Sequence, residues 1–265
     1  GEQELYELSI VVNSDGYVMD SYAQKIGIRQ LCYMKNECSV KDALPYLLSV
    51  NGRRIYIKGV NLVPIDHMYG AVEDEKYEIL VKALKHANIN LVRIWGGGLI
   101  EKEILYKLCD ENGIMIWQEF IQSSSGICNT PSVKPEFLDL LAKNSIAALK
   151  GRRNYTCLTY WSGGNELRGD DNNPATYEHK NISMLKKLVE KYDRTRLFLP
   201  TSASGPREFL DISPEARGTN HDVHGPWKYG GITRHYELFN KSDSLLHSEF
   251  GVDSFSNYET MARIM

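Results

Sequence analysis

A regular alternation of short apolar stretches and helix-like stretches dominates this chain from Ile55 onward and limits the folds open to it. Apolar runs of four to seven residues read as strands, and the stretches between them repeat their apolar residues with helical spacing, as in 73–88. This alternation predicts a parallel sheet covered by helices. Seven such strands in order fit a (β/α)8 TIM barrel better than an open sheet, and nothing after Phe250 is typical of an eighth strand. We therefore predict an α/β barrel truncated after strand 7.

The predicted barrel strands are 55–61, 91–95, 114–117, 157–161, 197–200, 218–224 and 244–247. The predicted helices between them are 73–88, 101–112, 137–153 and 177–192.

The first 49 residues follow a different pattern, with short alternating strands at 5–12, 17–22 and 27–31. Roughly three antiparallel strands leave an open edge and an uncovered face, so they do not form a stable sandwich alone. We predict that residues 1–49 are the last strands of an immunoglobulin-like β-sandwich and a linker, and that residues 50–265 are the barrel. We also expect the chain to be a piece of a longer protein, because it begins at Gly1 without a methionine.

The charge balance narrows the partner class. The chain has 31 basic and 34 acidic residues, a net charge of −3, and no basic cluster. Proteins bind nucleic acids and anionic membranes mainly through clusters of Lys and Arg, so neither is expected as a partner of this chain. No apolar run approaches the ~20 residues of a membrane span. A small neutral ligand is the better expectation; homo-oligomer formation stays open, and no motif fixes a compartment.

The residues that follow each predicted strand carry the chemistry, because reactive groups of a barrel lie at the carboxyl ends of its strands. Glu166 follows the fourth strand and Glu249 the seventh, so both carboxylates point into one mouth, surrounded by tryptophan and amide side chains. Glycoside cleavage needs one carboxyl group to protonate the departing oxygen and another to attack the anomeric carbon. Asn165 is placed to bind a ring hydroxyl. These residue types predict a glycosidase.

The same stretches resemble glycoside hydrolase family 2. Gly163-Gly164-Asn165-Glu166 is similar to that family's Asn-Glu acid/base motif, and Ser248-Glu249-Phe250-Gly251 is similar to its nucleophile motif. Residues 27–29 with 50–61 resemble the junction between the family's immunoglobulin-like domain and its barrel. Within the family, 93–98 and 108–120 look most like the β-mannosidase branch. The resemblance covers essentially the whole chain and implies a retaining exo-β-glycosidase acting at nonreducing ends.

Carried over to this sequence, the resemblance makes Glu166 the general acid and then base, and Glu249 the nucleophile of a glycosyl-enzyme intermediate. Their carboxyl groups should then lie about 5–5.5 Å apart, and Glu166 should be protonated when substrate arrives. Asn165 would hold the 2-hydroxyl group, and Arg93 would bind Glu249 as a carboxylate. Two carboxyl groups and water suffice for this chemistry, so no metal or organic cofactor is expected.

The expected substrate is an oligosaccharide or glycoside, most like a β-mannoside. β-Mannosidases usually have Asp where Glu119 stands and often Asn where Gly164 stands, so β-galactosidase and β-glucuronidase activity stay open as alternatives. A noncatalytic carbohydrate-binding barrel is the rival from another class. The further candidates for contact with the sugar are Trp95, Trp117, Glu119, Trp161, His224, Trp227 and Asp66.

Two motifs have competing interpretations. Gly96-Gly97-Gly98 lies between a strand and a helix, as phosphate-binding loops do, but lacks the GxGxxG spacing. His221 and His224 have the spacing of half a metal site, but residues three apart on a strand point to opposite faces. We expect neither a nucleotide nor a metal at these positions, with His224 as a hydrogen-bonding residue and His221 as a structural one.

Overall fold

A computed structural model describes residues 3–124 and 128–264. Its strands in chain order are β1 (Tyr6–Ser14), β2 (Tyr17–Ile26), β3 (Leu31–Met34), β4 (Leu47–Val50), β5 (Arg53–Arg54), β6 (Gly59–Leu62), β7 (Leu91–Ile94), β8 (Met115–Glu119), β9 (Leu158–Ser162), β10 (Leu197–Leu199), β11 (Asp222–His224) and β12 (Leu246–Glu249). The helices are α1 (Asp74–His86), α2 (Glu103–Asn112), α3 (Pro135–Arg152), α4 (Lys180–Tyr192), α5 (Ile232–Lys241) and α6 (Tyr258–Ile264).

Seven parallel strands follow one another along the chain, as the alternation predicts. Strands β6 to β10 hydrogen-bond in the order β10-β9-β8-β7-β6, and β11 pairs with β12 in a separate parallel sheet. The loop after β10 spans the gap, since Asp222 N donates to Ser204 O at 3.1 Å and Phe209 forms a parallel bridge with His224. The α/β class with a parallel sheet is therefore confirmed. Within the described residues β12 is the last strand, and truncation of the barrel after strand 7 stays a prediction.

Helix–sheet packing follows from the apolar periodicity. Helix α1 buries Tyr77, Val81 and Leu84, which are spaced three and four residues apart and so share one face. Helix α2 ends at Gly113, whose φ of 67° is the left-handed conformation that glycine adopts without penalty. Strand β7 is buried along its whole length, as expected for a parallel strand covered on both sides. None of the helices in the described ranges is long and apolar enough to cross a membrane.

Helix α5 lies between β11 and β12, where the sequence analysis placed no helix. Its residues Ile232, Tyr236 and Phe239 have helical spacing, but no residue of α5 is buried. The helical spacing of these three residues was therefore an available signal that the sequence analysis did not use.

The residues before the barrel are antiparallel, as predicted. Strands β1 and β2 form a hairpin, and β3, β4 and β5 form a three-stranded sheet whose β4–β5 turn places Asn51 and Gly52 at positive φ. Leu48 of β4 is fully buried in a cluster with Trp117 and Tyr160 of the barrel sheet. The assignment of residues 1–49 to an immunoglobulin-like domain stays a prediction.

Candidate active site

The loop that follows β9 positions Glu166 through two glycines. A Cβ atom on Gly163 would lie 2.2 Å from Pro200 O, and one on Gly164 would lie 2.5 Å from Gln122 O. Gly164 also has a φ of 151°, and Glu166 itself has a positive φ of 51°. A side chain at position 164 would therefore force the neighbouring backbone apart, which is the physical reason for glycine at this position.

The carboxylates of Glu166 and Glu249 meet around one histidine. His224 Nδ1 lies 3.0 Å from Glu166 Oε1 and 3.9 Å from Glu249 Oε2. One oxygen of each carboxylate and a ring nitrogen of His224 all lie within 4.8 Å of one another. His224 is fully buried, whereas the two glutamate side chains are 19% and 23% exposed. The arrangement is thus a partly open carboxylate pair on a buried support.

A hydrogen-bond chain runs inward from Glu166. His224 Nε2 lies 2.9 Å from Ser202 Oγ, which donates to Ser248 Oγ at 2.9 Å. Ser124 Oγ donates to the other oxygen, Glu166 Oε2, at 3.0 Å. Each oxygen of Glu166 therefore has a fixed partner, which limits the carboxyl group to one orientation.

The pKa of Glu166 is lowered by these contacts. The hydrogen bond with His224 is the largest cause; burial acts in the opposite direction but is outweighed. This direction is opposite to what the sequence analysis expected of an acid that is protonated before substrate binds. In the unliganded chain, His224 favours the carboxylate form of Glu166.

Glu249 is held by two donors, one from strand β7 and one from the loop that follows β11. Arg93 Nη1 donates to Glu249 Oε2 at 2.9 Å, and Trp227 Nε1 donates to Glu249 Oε1 at 3.1 Å. Each oxygen of Glu249 therefore accepts a hydrogen bond that fixes the orientation of the carboxyl group. The contact between Arg93 and Glu249 is the one that the sequence analysis expected.

Arg93 lies beneath the cleft in a buried polar cluster. Its Nε donates to Glu119 Oε1 at 3.1 Å, and Nη1 also donates to Asn61 Oδ1 at 3.1 Å. Burial lowers the pKa of Arg93, but the carboxylates of Glu119 and Glu249 outweigh that effect and raise it. The guanidinium is therefore charged and bridges Glu119 to Glu249.

Glu119 and Trp117 support Arg93 and do not line the cleft. Glu119 is fully buried, and it also accepts hydrogen bonds from Gly96 N at 2.8 Å and Ser162 Oγ at 3.1 Å. Trp117 is 2% exposed, and its ring centroid lies 5.7 Å from Arg93 Cζ. The structure thus places these two candidates behind the arginine.

Asn165 lies next to the carboxylate pair. Its Oδ1 accepts a hydrogen bond from Arg93 Nη2, while Nδ2 makes a long contact of 3.4 Å with Ser123 Oγ. With the carbonyl oxygen held by Arg93, the amide nitrogen is the group that could bind a ligand hydroxyl. The residue is 5% exposed, so any such ligand must enter the mouth deeply.

Three of the remaining candidates are not brought to the carboxylate pair. Trp161 is fully buried; it stacks on Phe120, and its Nε1 donates to Asp193 at 2.8 Å. Asp66 forms an exposed ion pair with Lys76 at 2.9 Å. Trp95 is half-buried and folds over the backbone of Gly97, where an added Cβ would lie 2.1 Å from its ring; the cleft is lined by other residues.

The glycine run 96–98 and His221 have structural roles. Gly96 N already donates to Glu119, so the glycine run is used for close packing against β8 rather than offered to a phosphate. His221 is buried away from the pair formed by Glu166 and Glu249 with His224. Two carboxylates and a histidine could bind a cation, but the guanidinium of Arg93 already forms an ion pair with Glu249.

The carboxylates open into a cleft with a volume of about 670 Å³. Its lining residues are Ser124, Cys128, Asn129, Thr130, Glu166, Arg168, Asn172, Glu208, Phe209, Trp227 and Glu249. Sequence reasoning missed Arg168, Glu208 and Phe209, and it also missed Ser202 beneath them. The polar run Thr201-Ser202 directly after β10 was an available signal, whereas Glu208 and Phe209 lie in an irregular loop without one.

Comparisons with known proteins identify the family of the chain. The family model described as glycosyl hydrolases family 2, TIM barrel domain, matches residues 39–258. The chain is 25% identical to a β-mannosidase of Mus musculus over 281 aligned positions, covering 100% of the chain and 31% of that protein. It is 28% identical to β-mannosidase A of Aspergillus niger, covering 97% of the chain and 29% of that protein.

Among solved structures, the β-D-mannosidase of Dictyoglomus thermophilum superposes with a TM-score of 0.79 at 25% identity, covering 100% of this chain and 32% of that one. The chain thus spans about a third of the length of the relatives it matches.

Proposed function

The chain belongs to family 2 of the glycosyl hydrolases, in their TIM barrel domain, and from this premise we propose that it is the catalytic part of a retaining exo-β-glycosidase. Glu166 is the acid/base and Glu249 the nucleophile. The observation that carries the proposal is the carboxylate pair: one oxygen from each lies within 4.8 Å of the other around His224. A short separation of this order favours direct attack by the second carboxylate over attack by a water held between the two.

In the first step, Glu249 attacks the anomeric carbon while Glu166 protonates the departing oxygen. The hydrogen bonds from Arg93 and Trp227 hold the Glu249 carboxyl group in position for this attack. In the second step, Glu166 removes a proton from water, which displaces Glu249 and releases the sugar with retained configuration. Asn165 Nδ2 holds the 2-hydroxyl group through both steps.

Substrate binding and formation of the glycosyl-enzyme change the pKa of Glu166 in opposite directions. In the open cleft, His224 lowers the pKa of this carboxyl group. A bound sugar excludes water from the cleft and brings an acceptor oxygen to Glu166, and both changes favour the protonated form. When Glu249 becomes an ester its negative charge is lost, which lowers the pKa of Glu166 again for its role as base.

The expected glycone is neutral and most like a β-mannoside. The described residues lining the cleft include one cation, Arg168, and its charge is already paired with Glu208. No free cation is therefore placed there to bind the carboxylate of a glucuronide, which favours the β-mannosidase or β-galactosidase alternative over β-glucuronidase. The names of the related β-mannosidases support the first of these.

The test is hydrolysis of 4-nitrophenyl β-mannoside, β-galactoside, β-glucoside and β-glucuronide by the full-length protein. We expect turnover of the mannoside, with β-configured product as the first species in the proton NMR spectrum. Glu249→Gln should lose at least about 1,000-fold on the nitrophenyl mannoside, and Glu166→Gln should lose about as much on β-1,4-mannobiose, whose leaving group needs the acid. Equal rates in the wild type and both variants, with sugar still bound, would identify a noncatalytic carbohydrate-binding barrel instead.

A further inference from the structure

Beside the carboxylate pair, the cleft has a second group of fixed polar and aromatic side chains that the proposed mechanism does not use. We call Arg168, Glu208 and Phe209 the rim cluster. Arg168 Nε donates to Glu208 Oε2, Arg168 Nη1 donates to Asn172 Oδ1 at 3.0 Å, and the guanidinium carbon lies 5.8 Å from the ring centroid of Phe209. All of these residues line the cleft.

The rim cluster is rigidly attached to the strand that carries His224. The backbone nitrogen of His224 donates to Glu208 O at 2.7 Å, and Leu210 N donates to His224 O at 3.0 Å. The backbone nitrogen of Arg168 donates to Asn129 O at 3.0 Å. Both ends of the cluster are therefore fixed relative to Glu166. A binding site needs such fixed side chains, whereas an ion pair on a solvated surface is not held in this way.

The cluster also leaves one donor and one acceptor without a partner among the described residues. Within the described ranges, Arg168 Nη2 and Glu208 Oε1 have no hydrogen-bond partner, although Glu208 is only 8% exposed. A hydroxyl group both donates and accepts, so a sugar can satisfy these two atoms together. Phe209 is 46% exposed and offers an apolar surface next to them, as sugar rings use.

We propose that the rim cluster is the binding site for the leaving group, and that it takes a neutral sugar residue. The proposal rests on the proposed function, since the general acid stands beside the departing oxygen and the residues beyond it contact the group that leaves. Arg168 follows Glu166 by two residues and lines the same cleft. Because Glu208 neutralises Arg168 and the catalytic carboxylates are close, the site selects against an anionic leaving group.

The experiment compares two substrates that share a glycone and differ in the leaving group. β-1,4-Mannobiose leaves a sugar at the rim cluster, and β-mannosyl fluoride leaves only fluoride; if the wild type hydrolyses another glycone, the matching pair is used. Arg168→Lys keeps a cation beside Glu208 but removes Nη2 and the Nη1 bond to Asn172. Phe209→Leu keeps an apolar side chain but removes the ring. Arg194→Lys, on the exposed turn before β10, is the matched control.

We expect Arg168→Lys to lower kcat/KM on mannobiose about tenfold, the loss of one hydrogen bond to a charged group, and to leave the fluoride within about twofold. Phe209→Leu should behave likewise, and Arg194→Lys should change neither substrate. A disaccharide whose leaving sugar carries a carboxylate should be hydrolysed at least about tenfold more slowly than mannobiose.

The outcomes separate this proposal from the function on which it rests. Equal losses on both substrates, or no loss on mannobiose, would overturn the leaving-group site while the glycosidase stands. No hydrolysis of either substrate by the wild type, across the glycones tested, would overturn both.

Discussion

His224 contacts Glu166 through one ring nitrogen and Ser202 through the other, so two replacements can remove these contacts one at a time. The amide of glutamine reaches the position of Nε2, so His224→Gln keeps the contact with Ser202 and loses that with Glu166. The amide of asparagine reaches the position of Nδ1, so His224→Asn does the reverse. The pair of variants therefore isolates the effect of His224 on the acid/base.

The expected size of the effect follows from the geometry. The contact between His224 and Glu166 is 3.0 Å long, His224 is fully buried, and the hydrogen bond is the largest cause of the lowered pKa of Glu166. A hydrogen bond to a charged group contributes about 1.5–3 kcal/mol, which corresponds to about one to two pH units. Because the bond favours the carboxylate, removing it raises the pKa.

The assay is the pH profile of kcat/KM on a disaccharide, whose basic limb reports loss of the proton from the general acid in the free enzyme. We expect His224→Gln to move that limb upward by about one to two pH units, and His224→Asn to move it by less than about half a unit. A downward shift, or equal shifts in both variants, would refute the reasoning.

Three further predictions concern the buried groups and the cation alternative. Glu119→Gln removes one carboxylate from the buried Arg93, so we expect the free energy of unfolding by urea to fall by about 3 kcal/mol and kcat/KM to fall as well. The control Glu37→Gln, in an exposed ion pair, should change neither quantity. Burial raises the pKa of Asp222 from 3.8 to about 6, so ionisation of its carboxyl group lowers the stability of the fold as the pH rises through that range. We therefore expect Asp222→Asn to raise the free energy of unfolding by up to about 3 kcal/mol at pH 8 and to leave it unchanged at pH 3, as measured by thermal unfolding. No gain at pH 8 would contradict the burial argument. Incubation with EDTA should leave kcat unchanged, because Arg93 rather than a metal neutralises Glu249; loss of activity that zinc or calcium restores would favour a cation held by the carboxylates.

The sequence predicted the parts of this site that depend on strand order. The alternation located all seven parallel strands, and reading the residues at the strand ends found Glu166 and Glu249 because the carboxyl ends of parallel strands share one edge. Arg93 lies within β7, and only the family resemblance pointed to its role. It could not show that β10 and β11 fail to pair, since hydrogen bonding between neighbours depends on the loop that lies between them.

Side-chain direction was the main limit for the pocket. Trp161 and Trp117 follow the same pattern as pocket residues, but one points outward to Asp193 and the other inward beneath Arg93. Periodicity does not distinguish a core indole from one that binds sugar. The sequence analysis did not predict the rim cluster for a different reason. Glu208 and Phe209 lie in a loop, and only the fold brings them to Arg168.

The most direct measurement of the central claim is covalent labelling of the nucleophile. A 2-deoxy-2-fluoro-β-glycosyl fluoride of the preferred glycone slows release of the glycosyl-enzyme, so the intermediate accumulates on the full-length protein and can be located by peptide mass spectrometry. The account predicts one sugar per chain, esterified to Glu249, with no label in Glu249→Gln and slower labelling when Arg93 is replaced by methionine. A label on another residue, or inactivation without any covalent sugar, would contradict it.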